Sequence, residues 1–556
     1  MRSSAPKIGH GSDIFWQESA LLILSLIAAA CWLWRPIRYA NDVWWHLATG
    51  RFIFSHGYIP KADVFSWTVR GRRWINHEWL FQMVLYSIYK LIRISGIIAL
   101  KILLIEEALV FQWFKMKREG TSWLIRWTWL ALMFWASRYG WNERADLVSV
   151  FFLSWLIWLM SAYRFKKSGG WNLWSGILLF ALWANSHGGF VLGLVISFLY
   201  ILGMSFEYPI GKMQKPFLWF VAGVAATFLN PNGYRLHLST LQGLALLRQG
   251  FFTEWQKTPW HPLELFWACL LLYGVLFFRN HQENHRWPWP EAAMGSFLAW
   301  GAVNHVRNIP YFMIGAFPDA ALWMSRSEVG EKIADLSKRH ARLFLIGIGF
   351  IIGAFGVTAA TSIRGGVNKR FFPIEACDFI QHERLPGTFY NEDGFGGYWI
   401  WYFGDTRPVF LDGRFHTVEG YIDLYNQVQH AQTNTPEVWN QFLDQRGIDA
   451  ALMSYPQDPL LPSVFRLFFP RSRWALIYWD DVALIYVRRL PQFAPYIQKW
   501  EFPAIDPDGT PEDFQNQWRQ SATAKTLLLK DLRRNAALHP DSHRTAAFLY
   551  AIDRPQ

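Results

Sequence analysis

Long stretches of this sequence are almost free of charged residues, and this limits what the chain can fold into. A helix of about 20 apolar residues crosses roughly 30 Å of hydrocarbon. The aromatic content, with 34 Trp and 45 Phe in 556 residues, also exceeds that of ordinary soluble domains. We therefore predict a polytopic α-helical membrane protein. The clearest apolar windows are residues 20–33, 147–162, 190–206, 266–278 and 343–360.

The formal net charge of +12 has its explanation in the same pattern. The basic residues lie largely in short loops between apolar runs, where they orient helices across a membrane. We therefore expect no nucleic-acid partner. Of the three cysteines, Cys31 and Cys269 lie inside apolar runs and Cys377 stands alone in the polar C-terminal region, so no disulfide framework is expected.

The distribution of Lys and Arg predicts the sidedness of the chain. We take the N-terminus as cytoplasmic and its first apolar run as a retained span, because no small-residue cleavage site follows it. Residues 36–77 then form an external loop, and residues 78–93 are amphipathic, as in a helix lying in the membrane interface. If 78–93 spanned the membrane instead, the two most basic loops would be external, against the positive-inside rule.

This assignment gives about eleven spans. After the first, they are expected near residues 97–114, 121–137, 146–163, 171–184, 189–206, 216–230, 262–278, 289–304, 309–324 and 342–361. The cytoplasmic loops would be residues 115–120, 164–170, 207–215, 279–286 and 326–342, and nearly all are rich in Lys and Arg.

The same topology collects nearly every polar motif on the outer face. Ionisable groups at membrane depth are normally retained for function, so this convergence predicts a site built between helix ends. The alternative is that these residues are helix caps and turns, which suits Asn-Pro-Asn-Gly at 230–233 best. The candidates are Asp42, His46, His77, Glu78, Glu143, Arg144, Asp146, Asn185, His187, Glu254, Arg307 and Asn308.

The composition changes after residue 361. Residues 1–361 are predicted as the transmembrane domain, with its first external loop at 36–96, and residues 362–500 as an extracytoplasmic α/β domain. Strands are expected at GTFYNE, PVFLDGR, DAALMSY, WALIYWDD and VALIYVRR. Residues 501–556 are expected to be a helical tail resembling one unit of a tetratricopeptide-type repeat, which cannot bury its own apolar face.

Two motifs of the α/β domain carry alternative interpretations. The glycines that follow Asp393 in NEDGFGGYWIW allow a tight strand-to-helix turn, and the N-terminus of such a helix can hold an anion. A purely structural turn is the other interpretation, and it applies equally to FLDGR at 410–414. No Walker or dinucleotide fingerprint is present.

No sequence signature of a soluble enzyme is present, so the external loop carries the chemical argument. Asp42 and His46 are four residues apart and share one face if the segment is helical. A carboxylate in this position can act as a general base, or it can bind a divalent cation such as Mg or Mn with a second carboxylate.

Several stretches of the sequence resemble a known superfamily. Asp42, the paired tryptophans, His46 and the later "HG" are similar to the first external loop of GT-C fold glycosyltransferases such as oligosaccharyltransferases and protein O-mannosyltransferases. More of the chain resembles uncharacterised bacterial membrane proteins of that superfamily. The matching motifs are DVWWHLATGRFIFSHG, NHEWL, WANSHGGF, LNPNGYR, RNIPYF, NEDGFGGYWIW and VFLDGR.

The resemblance implies a transferase in the bacterial cytoplasmic membrane that uses a polyprenyl-phosphate-linked sugar as donor and a glycan, lipid or protein as acceptor. It assigns the general base or cation ligand to Asp42, with His46 and Glu78 beside it. Arg307, then Arg144, are the candidates for binding the lipid phosphate. The sequence departs from the family in having Asn41-Asp42 in place of Asp-Glu, and it lacks the Trp-Trp-Asp acceptor motif.

Two other functions compete with this hypothesis. A transporter of lipid-linked saccharides would need charged groups along a path to both faces, and Glu106 and Glu107 in the second span are the residues that favour it. A non-catalytic assembly subunit would bind protein partners through its C-terminal domain and tail.

Overall fold

The computed structural model describes residues 10–38, 40–164, 173–247, 256–361, 363–415, 417–455, 465–509 and 521–553. The chain divides into two compact units. Unit 1 comprises Met1–Ala40, Thr49–Ile59 and Asn76–Val367, and unit 2 comprises Asn41–Ala48, Pro60–Ile75 and Asn368–Gln556. Two parts of the first loop therefore belong to unit 2, and the tail after residue 500 is not a separate unit.

Helices make up nearly all the regular structure of unit 1. The first two are α1 (His10–Leu33) and α2 (Asp42–His56), of which α2 contributes only its residues from Thr49 onward. The others are α3 (Trp79–Arg118), α4 (Trp123–Ala136), α5 (Asp146–Arg164), α6 (Leu173–Ala184), α7 (Phe190–Ser205), α8 (Ile210–Ala226), α9 (Tyr234–Leu247), α10 (Glu264–Asn284), α11 (Trp289–Asn304), α12 (Ile309–Gly315), α13 (Phe317–Arg326), α14 (Glu328–Arg339) and α15 (Ala341–Ala360).

Three helical segments among the described residues are long and apolar enough to cross a membrane: Trp16–Leu33, Asp146–Arg164 and Ala341–Ala360. Two shorter apolar helices, α6 and α7, have 12 and 16 residues. A helix rises about 1.5 Å per residue, so α6 covers only part of the hydrocarbon thickness. The count of about eleven spans therefore stays a prediction.

A break divides α3 into two segments. Ile92 has φ −132° and ψ 19°, and Arg93 has φ 58° and ψ −145°, so the backbone leaves the helical conformation there. A positive φ is uncommon for a residue with a side chain. The break lies between the two segments expected from the sequence, the amphipathic one at 78–93 and the apolar one at 97–114.

The span expected at 309–324 is not one helix. It consists of α12, which ends at Gly315, and α13, which begins at Phe317. The two meet at Ala316, and Pro318 occupies the first turn of α13. A proline lacks the backbone N–H that would continue the upstream helix, and it suits the start of a new one.

Unit 1 buries several ion pairs between its helices. The Lys101 Nζ lies 2.6 Å from the Glu143 Oε1, and the Lys115 Nζ lies 2.7 Å from the Asp319 Oδ1 and 3.0 Å from the Glu119 Oε1. These side chains are at least nine-tenths buried. Removing one partner of such a pair would leave a charge without compensation in a medium of low dielectric constant. The Lys115–Asp319 pair therefore links two helices that are distant in the sequence, α3 and α13.

A small mixed sheet lies in unit 2. Its strands are β1 (Phe389–Asn391), β2 (Ala450–Ser454), β3 (Trp474–Trp479) and β4 (Ala483–Arg488), in the order β1-β2-β4-β3. β1 and β2 are parallel, and the other two pairs are antiparallel. The helices of this unit are α16 (Ile374–His382), α17 (Asp393–Phe403), α18 (Tyr421–Thr433), α19 (Pro436–Gln445), α20 (Phe465–Phe468), α21 (Ala494–Trp500), α22 (Ala522–Leu538) and α23 (His543–Asp553).

Four of the five predicted strands are present, and the prediction of a strand at PVFLDGR was wrong. Val409 makes only an isolated bridge, to Ser66. The side chain of Asn391 takes the hydrogen bonds that a neighbouring strand would take, because its Oδ1 accepts from the Phe410 N–H at 2.9 Å and its Nδ2 donates to the Leu411 carbonyl at 2.8 Å. Together with the backbone hydrogen bonds of Val409 to Phe65 and Trp67, this side chain bonds the segment without a regular ladder.

The helical tail packs onto the rest of unit 2. The Asp531 carboxylate of α22 accepts hydrogen bonds from the backbone N–H groups of Ala504 and Ile505. On α23, Phe548 is 5% exposed and lies edge-on to Trp479. A single helix pair cannot bury its own apolar face, and here the rest of unit 2 covers that face.

Arg414 is the most deeply buried cation of unit 2. Its guanidinium donates to both oxygens of Asp412 at 2.7 Å, and its Nη2 lies 2.8 Å from the Asp63 Oδ1. The Tyr421 hydroxyl donates to Asp412 at 2.8 Å, and the guanidinium lies over the ring of Trp74. Burial alone would lower the pKa of Arg414, but Asp412, Tyr421 and Asp63 raise it well above its usual value.

We expect Arg414→Gln to destabilise unit 2 strongly. Breaking a buried ion pair from one side typically costs about 3–5 kcal/mol. The thermal unfolding midpoint of the full-length protein in detergent, followed by tryptophan fluorescence, should fall. Arg473→Gln is the matched control, because Arg473 pairs with Asp444 at the surface and such pairs contribute about 0–1 kcal/mol. Equal midpoints for the two variants would contradict the role of Arg414.

Candidate functional site

Glu78, at the start of α3, lies beside two histidines in unit 1. Its Oε1 is 3.8 Å from the His77 Nε2 and 3.9 Å from the His187 Nε2. All three side chains are at least four-fifths buried. The sequence placed His77 and Glu78 in one loop and His187 in another loop of the same predicted face, and the structure brings them together.

The other ring nitrogen of His187 fixes the orientation of its imidazole. The Gly189 N–H donates to the Nδ1 at 3.1 Å, and the Ser149 Oγ lies 2.6 Å from the same atom. An Nδ1 that accepts a hydrogen bond carries no proton in the neutral ring, so the proton is on Nε2, the atom nearest Glu78. The protonated nitrogen of the neutral His187 ring is therefore the one nearer Glu78, at a distance of 3.9 Å that is longer than a hydrogen bond.

Ser149 connects this group to a second one. Its Oγ accepts from the Trp183 Nε1 at 2.7 Å, and it is hydrogen-bonded to Tyr311. Tyr311 also interacts electrostatically with Asp146, Arg307 and Arg144. We call these residues the Ser149 cluster; its members are His77, Glu78, Arg144, Asp146, Ser149, Trp183, His187, Arg307 and Tyr311.

The cationic end of the Ser149 cluster lies at helix termini. Asp146 is the first residue of α5, where the helix dipole favours a carboxylate, and its Oδ2 is 3.3 Å from the Arg307 Nε. Arg307 belongs to a 3₁₀ turn, Val306–Asn308, that leads into α12. Arg144 is the second guanidinium near Tyr311. Guanidinium groups at this depth can hold an anionic oxygen group such as a phosphate.

The remaining predicted residues of unit 1 have local roles. Asn185 accepts from the Trp79 Nε1 at 2.7 Å and donates to the carbonyls of Ala181 and Leu229. Glu143 forms the buried pair with Lys101, and Asn308 donates to the Gly301 carbonyl at 3.3 Å. These contacts lie within unit 1, and a catalytic or binding role for the three residues stays a prediction. Glu254 lies outside the described residues.

Asp42 and His46 belong to the part of α2 that lies in unit 2. Asp42 is the first residue of the helix and is half-buried, and its Oδ1 accepts from the Trp45 Nε1 at 3.1 Å. His46 is 2% exposed, with its ring 3.7 Å from that of Trp45. The helix ends at His56, and the following Gly57 has φ 74°, a conformation that favours glycine just after a helix end.

Glycines bring two other motifs of unit 2 close to the start of α2. A Cβ atom on Gly413 would lie 2.9 Å from the Asp42 Oδ1, and one on Gly397 would lie 2.5 Å from the Asn41 carbonyl oxygen. Real Cβ contacts are rarely this short, so FLDGR and DGFGG need glycine at these positions for close packing. This supports the structural interpretation of both motifs.

The described residues contain no group of three or more His, Cys, Asp or Glu side chains arranged to hold a metal ion. Within unit 2, Asp412 is the carboxylate on the turn nearest Asp42, and it is already bound to Arg414. The divalent cation stays a prediction.

Solved structures, and not sequences, show which known proteins this chain is similar to. No protein-family model matches the sequence, and no curated protein sequence matches it significantly. The crystal structure of the Archaeoglobus fulgidus oligosaccharyltransferase in the apo form is similar, with TM-score 0.55 and 11% identity over 80% of this chain and 70% of that chain. The chain has the GT-C fold.

Two further structures are similar. The archaeal oligosaccharyltransferase AglB from Archaeoglobus fulgidus, in complex with an inhibitory peptide and a dolichol-phosphate, gives TM-score 0.53 and 9% identity over 80% of this chain and 70% of that chain. ArnT from Cupriavidus metallidurans bound to undecaprenyl phosphate gives TM-score 0.49 and 11% identity, covering 87% and 99% of the two chains. The two oligosaccharyltransferase structures confirm, at the level of the fold, the resemblance to GT-C enzymes expected from the loop motifs.

Ser149, Trp183 and Tyr311 are members of the cluster in this GT-C protein that the sequence did not single out. Ser149 lies one helical turn after Asp146, on the same side of α5, and this spacing was the available signal. Trp183 and Tyr311 lie within the motifs WANSHGGF and RNIPYF. They were not predicted as site residues, because a Trp or Tyr in an apolar run usually belongs to the core or to the membrane interface.

We expect Gly189→Ala to disrupt the Ser149 cluster. The added Cβ would lie 2.2 Å from the Ser149 Oγ and 3.0 Å from the His187 Nδ1, so the neighbours must move. Overpacking of this kind costs about 1–3 kcal/mol, and the thermal midpoint in detergent should fall. Gly274→Ala, in α10, has no atom within 4 Å of the added Cβ and should not lower the midpoint. Equal midpoints for both variants would show that Gly189 is not needed for this packing.

Proposed function

We propose that this protein is a membrane glycosyltransferase that transfers a sugar from a polyprenyl-phosphate-linked donor to an acceptor hydroxyl or amide. The main support is the Ser149 cluster, in which two arginines, a buried carboxylate and two histidines meet at helix ends of a GT-C fold. Ionisable groups in such a setting are costly and are normally retained for function. A dolichol-phosphate is bound in the similar AglB structure, which agrees with a lipid-linked donor.

The proposed reaction is an inverting displacement. The acceptor hydroxyl attacks the anomeric carbon, and Asp42 takes the hydroxyl proton as general base. The bond between the anomeric carbon and the phosphate oxygen breaks, and the polyprenyl phosphate leaves with the electron pair. Arg307, with Arg144, stabilises the negative charge of the leaving phosphate. No step in this scheme depends on a divalent cation.

Glu78 is the second candidate base, and its two histidine neighbours support that role. The Nε2 atoms of His77 and His187 lie 3.8 and 3.9 Å from its Oε1, so a positive charge on either ring would stabilise the Glu78 carboxylate. Asp42, in contrast, is half-buried and accepts from an indole N–H that stabilises the carboxylate. We assign the base to Asp42 and a supporting role to Glu78 and His46.

The proposed setting is the bacterial cytoplasmic membrane, with about eleven spans, the N-terminus in the cytoplasm and unit 2 outside. The acceptor is a glycan, a lipid or a protein, and a protein partner for unit 2 belongs to the same proposal. Transport is a weaker candidate. The buried charges around Lys115 and Asp319 form ion pairs. The cavity that these described residues line has a volume of only about 10 Å³, which is far too small for a saccharide.

We expect Asp42→Asn to abolish transfer while the protein still folds. Loss of a general base typically costs about 10²–10⁴-fold in rate. In a strain lacking the native protein, the variant should behave as the deletion does: mass spectrometry should show the glycan product lost and the polyprenyl-linked donor accumulated. Asp405→Asn, at an exposed position, should restore the normal profile. A normal profile with Asp42→Asn and a deleted profile with Glu78→Gln would move the base to Glu78.

Arg307→Gln should weaken donor binding. A hydrogen bond to a charged group contributes about 1.5–3 kcal/mol, or roughly 10–100-fold in affinity. The amount of polyprenyl phosphate retained by the purified protein, measured by native mass spectrometry, should fall by this factor. Arg235→Gln, an exposed position at the start of α9, is the control. Unchanged retention with Arg307→Gln would remove Arg307 from the donor site.

A further inference from the structure

Unit 2 contains a cavity of about 320 Å³ that the proposed transfer reaction does not use. It lies where β1 and β2, the parallel pair of the sheet, end side by side. The residues that follow these strands, Glu392 after β1 and Tyr455 after β2, line it. In open α/β sheets, ligands bind outside the carboxyl ends of parallel strands, because the chain there turns away and leaves a crevice.

Two adjacent carboxylates form one wall of this cavity. Glu392 precedes α17 and accepts a hydrogen bond from the Ser454 hydroxyl, and Asp393 is the first residue of α17. Asp393 is accessible to solvent, yet protein surrounds it on most sides of the recess. Burial, and in second place the charge of Asp393, raise the pKa of Glu392 to about 7; burial also raises the pKa of Asp393.

One face of α18 forms the opposite wall. Tyr425, Gln429 and Gln432 recur at intervals of four and three residues, so they lie along one side of the helix and all line the cavity. The Gln432 Nε2 donates to the Tyr390 hydroxyl at 3.0 Å, which holds both polar groups at the wall. Hydroxyl and amide groups of this kind can hydrogen-bond a polar ligand body.

The floor is aromatic and apolar. Trp439 and Phe469 are 1% and 2% exposed, and their rings meet edge to face at 6.1 Å. The described lining residues include no Lys, Arg or His; the titratable groups besides the two acids are Tyr390, Tyr425 and Tyr455. No described lining residue therefore places a cationic side chain opposite the carboxylates.

We propose that this cavity binds a small polar molecule through a protonated primary amine, with the ammonium group held between Glu392 and Asp393. The cavity has room for one sugar ring or one amino-acid side chain. Gln429, Gln432 and the tyrosine hydroxyls bind the polar body, and the aromatic floor packs against its apolar face. An amino sugar and a lysine side chain both carry this chemistry. The site is separate from the Ser149 cluster and does not depend on the proposed transfer reaction.

Isothermal titration calorimetry on the full-length protein in detergent tests this site with three ligands. Glucosamine and Nα-acetyl-lysine amide each carry one primary amine, and N-acetylglucosamine has the same sugar ring without a basic nitrogen. We expect the amines to bind, and N-acetylglucosamine to bind at least about tenfold more weakly than glucosamine. The tighter of the two amines identifies the source. Equal affinity for the acetylated and free sugars, or no binding of either amine, would overturn the proposal.

Variants and pH provide independent checks. Glu392→Gln and Asp393→Asn should each weaken amine binding by at least about tenfold, whereas Glu437→Gln, an exposed Glu of α19, should leave it unchanged. Between pH 7.5 and 5.5 the lysine amine stays protonated, but Glu392 takes up a proton that the ligand must displace. Affinity for Nα-acetyl-lysine amide should therefore fall by more than about tenfold as the pH falls. A flat profile, or unchanged binding in both acidic-residue variants, would also overturn the proposal.

Discussion

The ion pairs of Arg414 hold the parts of unit 2 that come from opposite ends of the sequence. Asp63 belongs to the segment Pro60–Ile75, and Asp412 to the FLDGR turn, more than three hundred residues later. A guanidinium with no solvent contact needs both carboxylates, because the loss of either partner would leave an uncompensated charge in the protein interior. The same turn presents Gly413 to Asp42. The same buried cation thus holds the turn that packs against the candidate base.

Residue patterns within each segment predicted most of the helices and strands, whereas the exceptions depend on contacts with other parts of the chain. The strands of the sheet are apolar runs that are buried along nearly their whole length, so length and β-branched or aromatic content were sufficient signals. PVFLDGR has the same composition, but the Asn391 side chain takes the place of a neighbouring strand. No pattern within the segment itself could reveal a partner nineteen or twenty residues away. Pro318 indicated the division between α12 and α13, but the apolar content of residues 309–324 favoured a single span.

The charged residues of the candidate site could be predicted from the sequence, whereas the residues that connect them could not. The positive-inside pattern placed His77, Glu78, His187, Asp146 and Arg307 on one face, and within unit 1 these residues do meet. What joins them is the hydroxyl of Ser149, and a serine in an apolar helix more often bonds its own backbone. The role of a hydroxyl depends on which indole, imidazole or phenol reaches it from other helices. Glu143 shows the reverse case, a conspicuous acid whose partner, Lys101, makes it structural.

The arrangement of charges on α3 has a consequence for how the protein is made. Lys115 binds Asp319, which lies 204 residues later in the chain and is therefore synthesised long afterwards. Glu119, one turn beyond Lys115, is available almost at once and lies 3.0 Å away in the finished structure. Lys115 thus has a counter-ion from its own part of the chain, and Asp319 joins an existing pair rather than neutralising a bare lysine. An early helix can in this way wait for a late one.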